Sequence, residues 1–192
     1  KDNLYNFLRE MEFNRLLSQA ISFYGEDNAS DFSPNIKQTK VSKIDTKLYK
    51  SILSEKDLDK LIDILNTKPF ISIDTETSSL NPLEAELVGI SFSYAPNEAY
   101  YIPLGHKNIK SLNKELVLKK IKPLLEDPSI KKVGQNIKYD FIVLIKNGIE
   151  INSVEDTMLL SYVLDAGNNR HNMDTLSELH LAHKTISYKD VV

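Results

Sequence analysis

The 192-residue sequence contains no cysteine and no tryptophan, and only six glycines and seven prolines. Without cysteine there is no disulfide framework, no thiol nucleophile and no cysteine–zinc site, and a reducing cytoplasm is the default compartment. Sparse Gly and Pro beside 41% hydrophobic residues exclude a collagen-like or wholly disordered chain. No apolar run approaches the roughly 18 residues a membrane-spanning helix needs, so no membrane partner is expected. The opening stretch Lys1–Glu10 mixes polar and apolar residues and does not read as a signal peptide. An excess of positive charge is also missing: 24 Lys+Arg stand against 27 Asp+Glu, a net charge of −3. Proteins that hold duplex nucleic acid by bulk attraction are usually basic. If this one handles nucleic acid, divalent cations or a small local groove must supply the positive charge. Lysine far outnumbers arginine, which reads as codon usage in an AT-rich genome rather than as chemistry.

What is present suits one domain with a real core plus some appended chain, and not two large domains. Apolar residues from Leu4 to Phe23 fall mostly at helical spacing, and Gly25 ends the pattern. Residues 1–26 are therefore expected to be a helix and the polar stretch 27–46 a linker, with the main domain spanning 47–192. Ser54 opens a capping-box variant followed by Leu58, Leu61, Ile62 and Leu65. Strands are expected at Phe70–Asp74, Glu86–Tyr94 and Ala99–Pro103, with turns at Asn81-Pro82 and Pro96-Asn97. A helix at Asn113–Glu126, a short buried strand at Lys131–Gln135, and helices at Tyr139–Asn147, Thr157–Leu164 and Asp174–Ala182 complete the reading. Three strands joined by short turns, then helices alternating with short strands, indicate a mixed α/β sheet.

Several carboxylates stand out. Asp74 and Glu76 lie two apart at the end of an apolar strand, so their side chains project from one face, about 5–7 Å apart. Carboxylates that close repel and raise each other's pKa unless a cation lies between them. Hard divalent ions take oxygen ligands of this kind; the plainer reading is a strand running out into a solvated acidic loop. Asp140 has Ile137, Val143 and Leu144 at helical spacing, which sets it beside an apolar stripe. It is either a first-turn aspartate favoured by the helix dipole or a buried group in need of a partner or a metal. Asp156 and Asp174 stand at helix starts and read as caps. His180 and His183 lack a third ligand at zinc spacing. Lys119, Lys120, Lys122, Lys131 and Lys132 read as a solvated basic face.

Together these pieces resemble a known family. Phe70–Leu80, F-I-S-I-D-T-E-T-S-S-L, resembles the first exonuclease motif of the 3′→5′ proofreading domain of bacterial family A polymerases, a DEDD exonuclease. Val133–Asp140, V-G-Q-N-I-K-Y-D, is similar to the second motif. Val154–Leu164, Arg170–Leu176 and His183–Ile186 also resemble that domain, and Leu4–Leu17 resembles the end of the preceding 5′-nuclease region. The third motif, Tyr-x-x-x-Asp, has no counterpart after His183–Ile186. This implies a piece of a longer polymerase, with little or no activity by itself.

The resemblance implies an RNase H-like mixed β-sheet flanked by helices. It implies hydrolysis of the 3′-terminal phosphodiester of single-stranded or frayed DNA by two Mg²⁺ or Mn²⁺ ions, releasing dNMP. Asp74, Glu76 and Asp140 would be the metal ligands, with Asp74 bridging both ions. Thr77, Leu80, Gln135, Asn136 and Tyr188 would contact DNA, Leu80 as a wedge against the terminal bases and Tyr188 beside the penultimate base. Leu80 as a core leucine, Asn136 as a helix cap and Tyr188 as a surface aromatic remain open. The implied partners are the DNA 3′ end and the polymerase and 5′-nuclease domains of the same parent chain, in a monomer associated with the nucleoid. A DEDD exoribonuclease and a non-catalytic scaffold of the same fold are the alternatives.

Overall fold

The computed structural model describes residues 1–25, 45–106, 111–167 and 169–186. Lys1–Gln38 form one compact unit and Thr39–Val192 another; residues 27–44 of the stretch expected to be a linker lie outside the described residues. In the first unit, the single helix expected over Asp2–Tyr24 is two helices, α1 (Asp2–Glu10) and α2 (Asn14–Tyr24). Glu12 takes a left-handed φ of 55° between them, and Phe13 N–H donates to the Leu8 carbonyl at 2.8 Å. One straight helix would leave its apolar stripe with nothing to cover it. Folding back buries Tyr5 and Leu8 against Ala20, with Leu17 and Ile21 packed alongside. The Tyr5 hydroxyl donates to the Gly25 carbonyl at 2.8 Å and closes the hairpin.

The second unit holds a six-stranded sheet in the order β1-β4-β3-β2-β5-β6. Its strands are β1 (Lys50–Ser51), β2 (Phe70–Thr77), β3 (Leu87–Ala95), β4 (Glu98–Pro103), β5 (Lys131–Gly134) and β6 (Val154–Asp156). β2, β3 and β4 form an antiparallel meander; β5 joins β2 in parallel, β6 joins β5 in parallel, and β1 lies parallel to β4. β1 and β6 are too short to leave an alternating pattern in the sequence, and only their neighbours reveal them. The helices are α3 (Glu55–Leu65), α4 (Lys114–Glu126), α5 (Lys138–Lys146), α6 (Thr157–Leu164) and α7 (Met173–Leu181). The expected mixed α/β sheet is thus present. Two of the helix starts follow directly from local chemistry. Ser54 accepts from Asp57 N–H at the start of α3, and Asn113 accepts from Leu116 N–H at the start of α4. Gly148, with φ 78°, ends α5 where a left-handed residue is needed.

The two faces of the sheet differ sharply. On one face Ile73, Phe92 and Tyr100 form a row across β2, β3 and β4, and Thr75, Ile90 and Ile102 form the next. These rows are buried with leucines, isoleucines and valines from α3, α4 and α5, which pins the register, since a one-residue slip would turn every apolar side chain outward. The other face carries Asp74, Ser91 and Tyr101 in one row and Glu76, Gly89 and Pro103 in the next. Asp74 and Glu76 therefore project away from the core. Lys132 departs from the expected solvated basic face. It is fully buried on β5, its Nζ donates to the Asp127 carbonyl at 2.6 Å, and burial holds its pKa below the ordinary lysine value.

Gly89 is glycine for a steric reason: a Cβ there would lie 1.9 Å from the Tyr101 hydroxyl. Gly89→Ala is expected to cost about 1–3 kcal/mol of stability through overpacking. Tyr101→Ala in the same chain should recover part of that loss, as measured by urea denaturation of the single and double variants.

Candidate active site

Strand β2 carries the apolar alternation as far as Thr75 and breaks it with two acids. Asp74 and Glu76 share the open face, while the Thr75 side chain between them points into the core, 8% exposed. β5 pairs with β2 only as far as Ser72, which leaves the N–H of Thr75 without a strand partner on that side. Asp140 fills the gap. From the first turn of α5, 3% exposed, its Oδ1 accepts from Thr75 N–H at 2.8 Å and from Thr75 Oγ1 at 2.6 Å. The third carboxylate is thus brought to the same end of β2 as the first two, from 65 residues away.

Electrostatics report the crowding. The surroundings of the Asp74 carboxyl group, although the residue as a whole is open to solvent, and then the charges of Asp140 and Glu76 raise its pKa to about 6. Burial likewise raises the pKa of Asp140, aided by the charge of Asp156 and opposed by the two bonds from Thr75. The ion pairs seen among the described residues lie elsewhere, and none reaches Asp74, Glu76 or Asp140. Three crowded acids with no protein cation are a donor set suited to a hard divalent ion. Their oxygens do not, however, converge on one point among the described residues.

The start of α5 is set by Asp156. Its carboxylate accepts from Met158 N–H at 2.8 Å and Leu159 N–H at 3.4 Å, the expected cap of α6. It also accepts from Asn136 N–H at 3.0 Å and Ile137 N–H at 3.1 Å, fastening the turn that precedes α5. Nothing in the local sequence signals this second pair of bonds. Asn136 makes that turn with a φ of 56°, a conformation asparagine tolerates, and the helix cap position falls on Ile137. The reading of Asn136 as a side-chain cap is therefore not met. Nor is Asp174 a cap: that position is Asn172, and Asp174 instead accepts from Thr185 Oγ1 at 2.5 Å.

Three comparisons bear on this arrangement. Residues 49–192 match a family model described as 3′-5′ exonuclease. The chain belongs to the 3′–5′ exonuclease family. The family carries nuclease activity, and its match embraces every carboxylate discussed above. DNA polymerase I of Rhizobium leguminosarum is 42% identical over 167 residues, covering 77% of this chain and 16% of that protein. DNA polymerase I of Pseudomonas aeruginosa is 35% identical over 197 positions, covering all of this chain and 21% of its own length. The chain thus spans about a fifth or less of these curated relatives. The structure of Escherichia coli RNase D superposes with a TM-score of 0.60 over 75% of this chain and 36% of that one, at 18% identity. That likeness supports the exonuclease fold expected from sequence.

Against this exonuclease frame, the other expected site residues divide. Leu80 is 97% exposed, so it is no core leucine. The Thr77 hydroxyl is bonded to Tyr139 and to the Ser79 carbonyl, tying the loop after β2 to α5. The Gln135 amide is spent internally: Nε2 donates to the His171 carbonyl at 2.7 Å and Oε1 accepts from Thr157 at 2.6 Å. Asn136 is exposed. Tyr188 lies outside the described residues.

Two predictions follow from the carboxylates. The folded-state pKa of Asp74 lies above its unfolded value, so its protonation favours the fold as pH falls through about 6, and its charge disfavours the fold above that. Asp74→Asn is expected to raise the thermal midpoint of the metal-free protein at pH 7.5. The difference from wild type should shrink on acidification and vanish near pH 4, as read by a calorimetric pH series. Asp156→Ala strands backbone donors at two helix starts and is expected to cost about 1–3 kcal/mol in chemical denaturation.

Proposed function

We propose that this exonuclease domain hydrolyses the 3′-terminal phosphodiester of a single DNA strand, using Asp74, Glu76 and Asp140 around divalent cations. The observation that supports this reading is that three carboxylates with no basic partner among the described residues lie around the same end of β2. The donor chemistry fits Mg²⁺ or Mn²⁺. Asp74, Glu76 and Asp140 would hold the ions, with Asp74 between the other two charges. When bound, such ions supply a water of lowered pKa and offset charge on the reacting phosphate.

The chain's own residues do the rest. Thr75 orients Asp140 through two bonds to one oxygen, leaving its remaining coordination capacity for a ligand. A water oxygen attacks phosphorus as the bond to the 3′ oxygen of the penultimate nucleotide breaks. That oxygen takes up a proton, and a deoxynucleoside 5′-monophosphate is released. Leu80 offers an exposed apolar surface on which a terminal base can stack, and Asn136 offers an exposed amide. Gln135 holds α6 and the His171 segment with one amide hydrogen and one lone pair, and its second amide hydrogen would be its donor to DNA. A mismatched end enters more readily because less unpairing is required. In the parent protein this domain would act beside polymerase and 5′-nuclease domains of the same chain, in the bacterial cytoplasm.

The alternative is an exoribonuclease, and the fold likeness to RNase D is the observation in its favour. Matched single-stranded DNA and RNA oligonucleotides, labelled at the 5′ end, separate the two. Turnover is expected to be slow, because the oxygens of the three carboxylates do not converge on one point among the described residues. Release of dNMP from the DNA 3′ end should require Mg²⁺ or Mn²⁺, and Asp74→Ala should lower it at least about 100-fold. Preferential digestion of RNA would reverse the substrate assignment. Cation-independent release that survives Asp74→Ala would remove the metal mechanism.

A further inference from the structure

Behind Glu76 stands a pair of side chains that the mechanism above does not use. Tyr101 projects from β4 onto the same face as Asp74 and Glu76. Its ring leans diagonally along β3, away from its own cross-strand partner Ser91, until the hydroxyl lies where a Cβ of Gly89 would be, 1.9 Å from that point. Gly89 is the direct cross-strand partner of Glu76. Paired positions in an antiparallel ladder hold their Cβ atoms about 4.5–5.5 Å apart, a gap that a glutamate side chain spans. The charge of Glu76 is felt at the Tyr101 hydroxyl, whose pKa is raised by burial and then by that charge.

The hydroxyl is held from behind. His106 Nε2 lies 2.6 Å from it, and the two rings meet edge to face with centroids 5.7 Å apart. The segment carrying His106 is itself fixed, since Leu104 N–H and Gly105 N–H both donate to the Val88 carbonyl, at 2.8 and 3.1 Å. Deepening the reading given above, and resting on it, we propose that Tyr101 and His106 are a positioning pair for Glu76. His106 Nε2–H donates to the Tyr101 oxygen, which leaves the phenolic proton free to donate to the Glu76 carboxylate when a cation is bound. A neutral donor suits this place for a physical reason. A lysine or arginine beside Glu76 would compete with the metal for the carboxylate, whereas a hydroxyl orients it without cancelling its charge. The absence of a side chain at Gly89 makes the approach possible.

The test uses the whole 192-residue chain and Mn²⁺ itself, with free Mn²⁺ followed by electron paramagnetic resonance and the metal-free thermal midpoint measured alongside. Tyr101→Phe keeps the ring over Gly89 and removes only the hydroxyl. It is expected to weaken Mn²⁺ binding about tenfold, the size of effect seen when a partner of a metal ligand is lost, with the midpoint unchanged. His106→Ala should weaken binding to a similar degree. His106→Gln, whose amide can still donate to the tyrosine oxygen, should retain most of it. The double variant Tyr101→Phe, His106→Ala should be no worse than Tyr101→Phe alone, because the two act through one bond. Wild-type affinity in Tyr101→Phe would overturn the proposal, whatever the histidine variants do. Asp74→Ala keeps the two questions apart. Loss of Mn²⁺ binding there with no change in Tyr101→Phe sinks the pair alone. Unchanged binding in Asp74→Ala sinks the carboxylate site on which the pair depends.

Discussion

Much of this molecule turns on one residue of β2. Thr75 offers its backbone N–H and its hydroxyl to a single oxygen of Asp140, and so ties the first turn of α5 to the strand that carries the other two acids. The alternation of a strand makes this possible. Asp74 and Glu76 face outward while the residue between them faces inward, so one short segment presents two carboxylates to solvent and grips a third from the core side. The early end of β5 matters equally, because a longer strand would have taken the Thr75 N–H into its own ladder.

The gathering of like charge has a cost that the rest of the fold is arranged to bear. Asp140 is held by charge-assisted bonds from Thr75, and its helix is anchored through the Asn136 turn by Asp156, itself an acid stabilised by backbone donors at two helix starts. Asp74 and Glu76 have no basic partner among the described residues. A net-acidic chain does not attract a polyanion by bulk charge; under the proposed mechanism the positive charge would arrive with the ions. Removal from water, and then the charges of Asp140 and Glu76, raise the Asp74 pKa; a cation bound beside it would oppose both effects. Local charge of this kind reconciles a mildly acidic chain with a nucleic-acid substrate.

The exonuclease family is carried by the match over residues 49–192, and by relatives named DNA polymerase I that extend several times the length of this chain. Lys1–Gln38 form a unit of their own, whose described residues 1–25 make a small helical hairpin that buries Tyr5, Leu8 and Ala20. So small a core contributes little stability by itself, whereas the sheet unit draws buried apolar residues from three strands and three helices.

Much of the fold was legible in the residue pattern, because helix caps and strand alternation act over a few neighbours. Ser54, Asn113 and Gly148 mark helix ends that the structure reproduces, and the acids of D-T-E announce themselves by interrupting an apolar strand. What sequence could not show were the effects that depend on chain brought from afar. The bend at Glu12 arises because an apolar stripe needs something to pack against, and helical spacing continues across it unchanged. The burial of Lys132 depends on the end of α4, and the spending of the Gln135 amide depends on His171 and Thr157. By itself the sequence determined which acids are available and which face of β2 they occupy, since those follow from composition and a period of two. Only the tertiary structure decided that Asp140 meets Thr75, that Asp156 joins two helix starts, and that Tyr101 lies over Gly89. Each of those contacts is set by where separate strands and helices end in space, a quantity that no local pattern encodes.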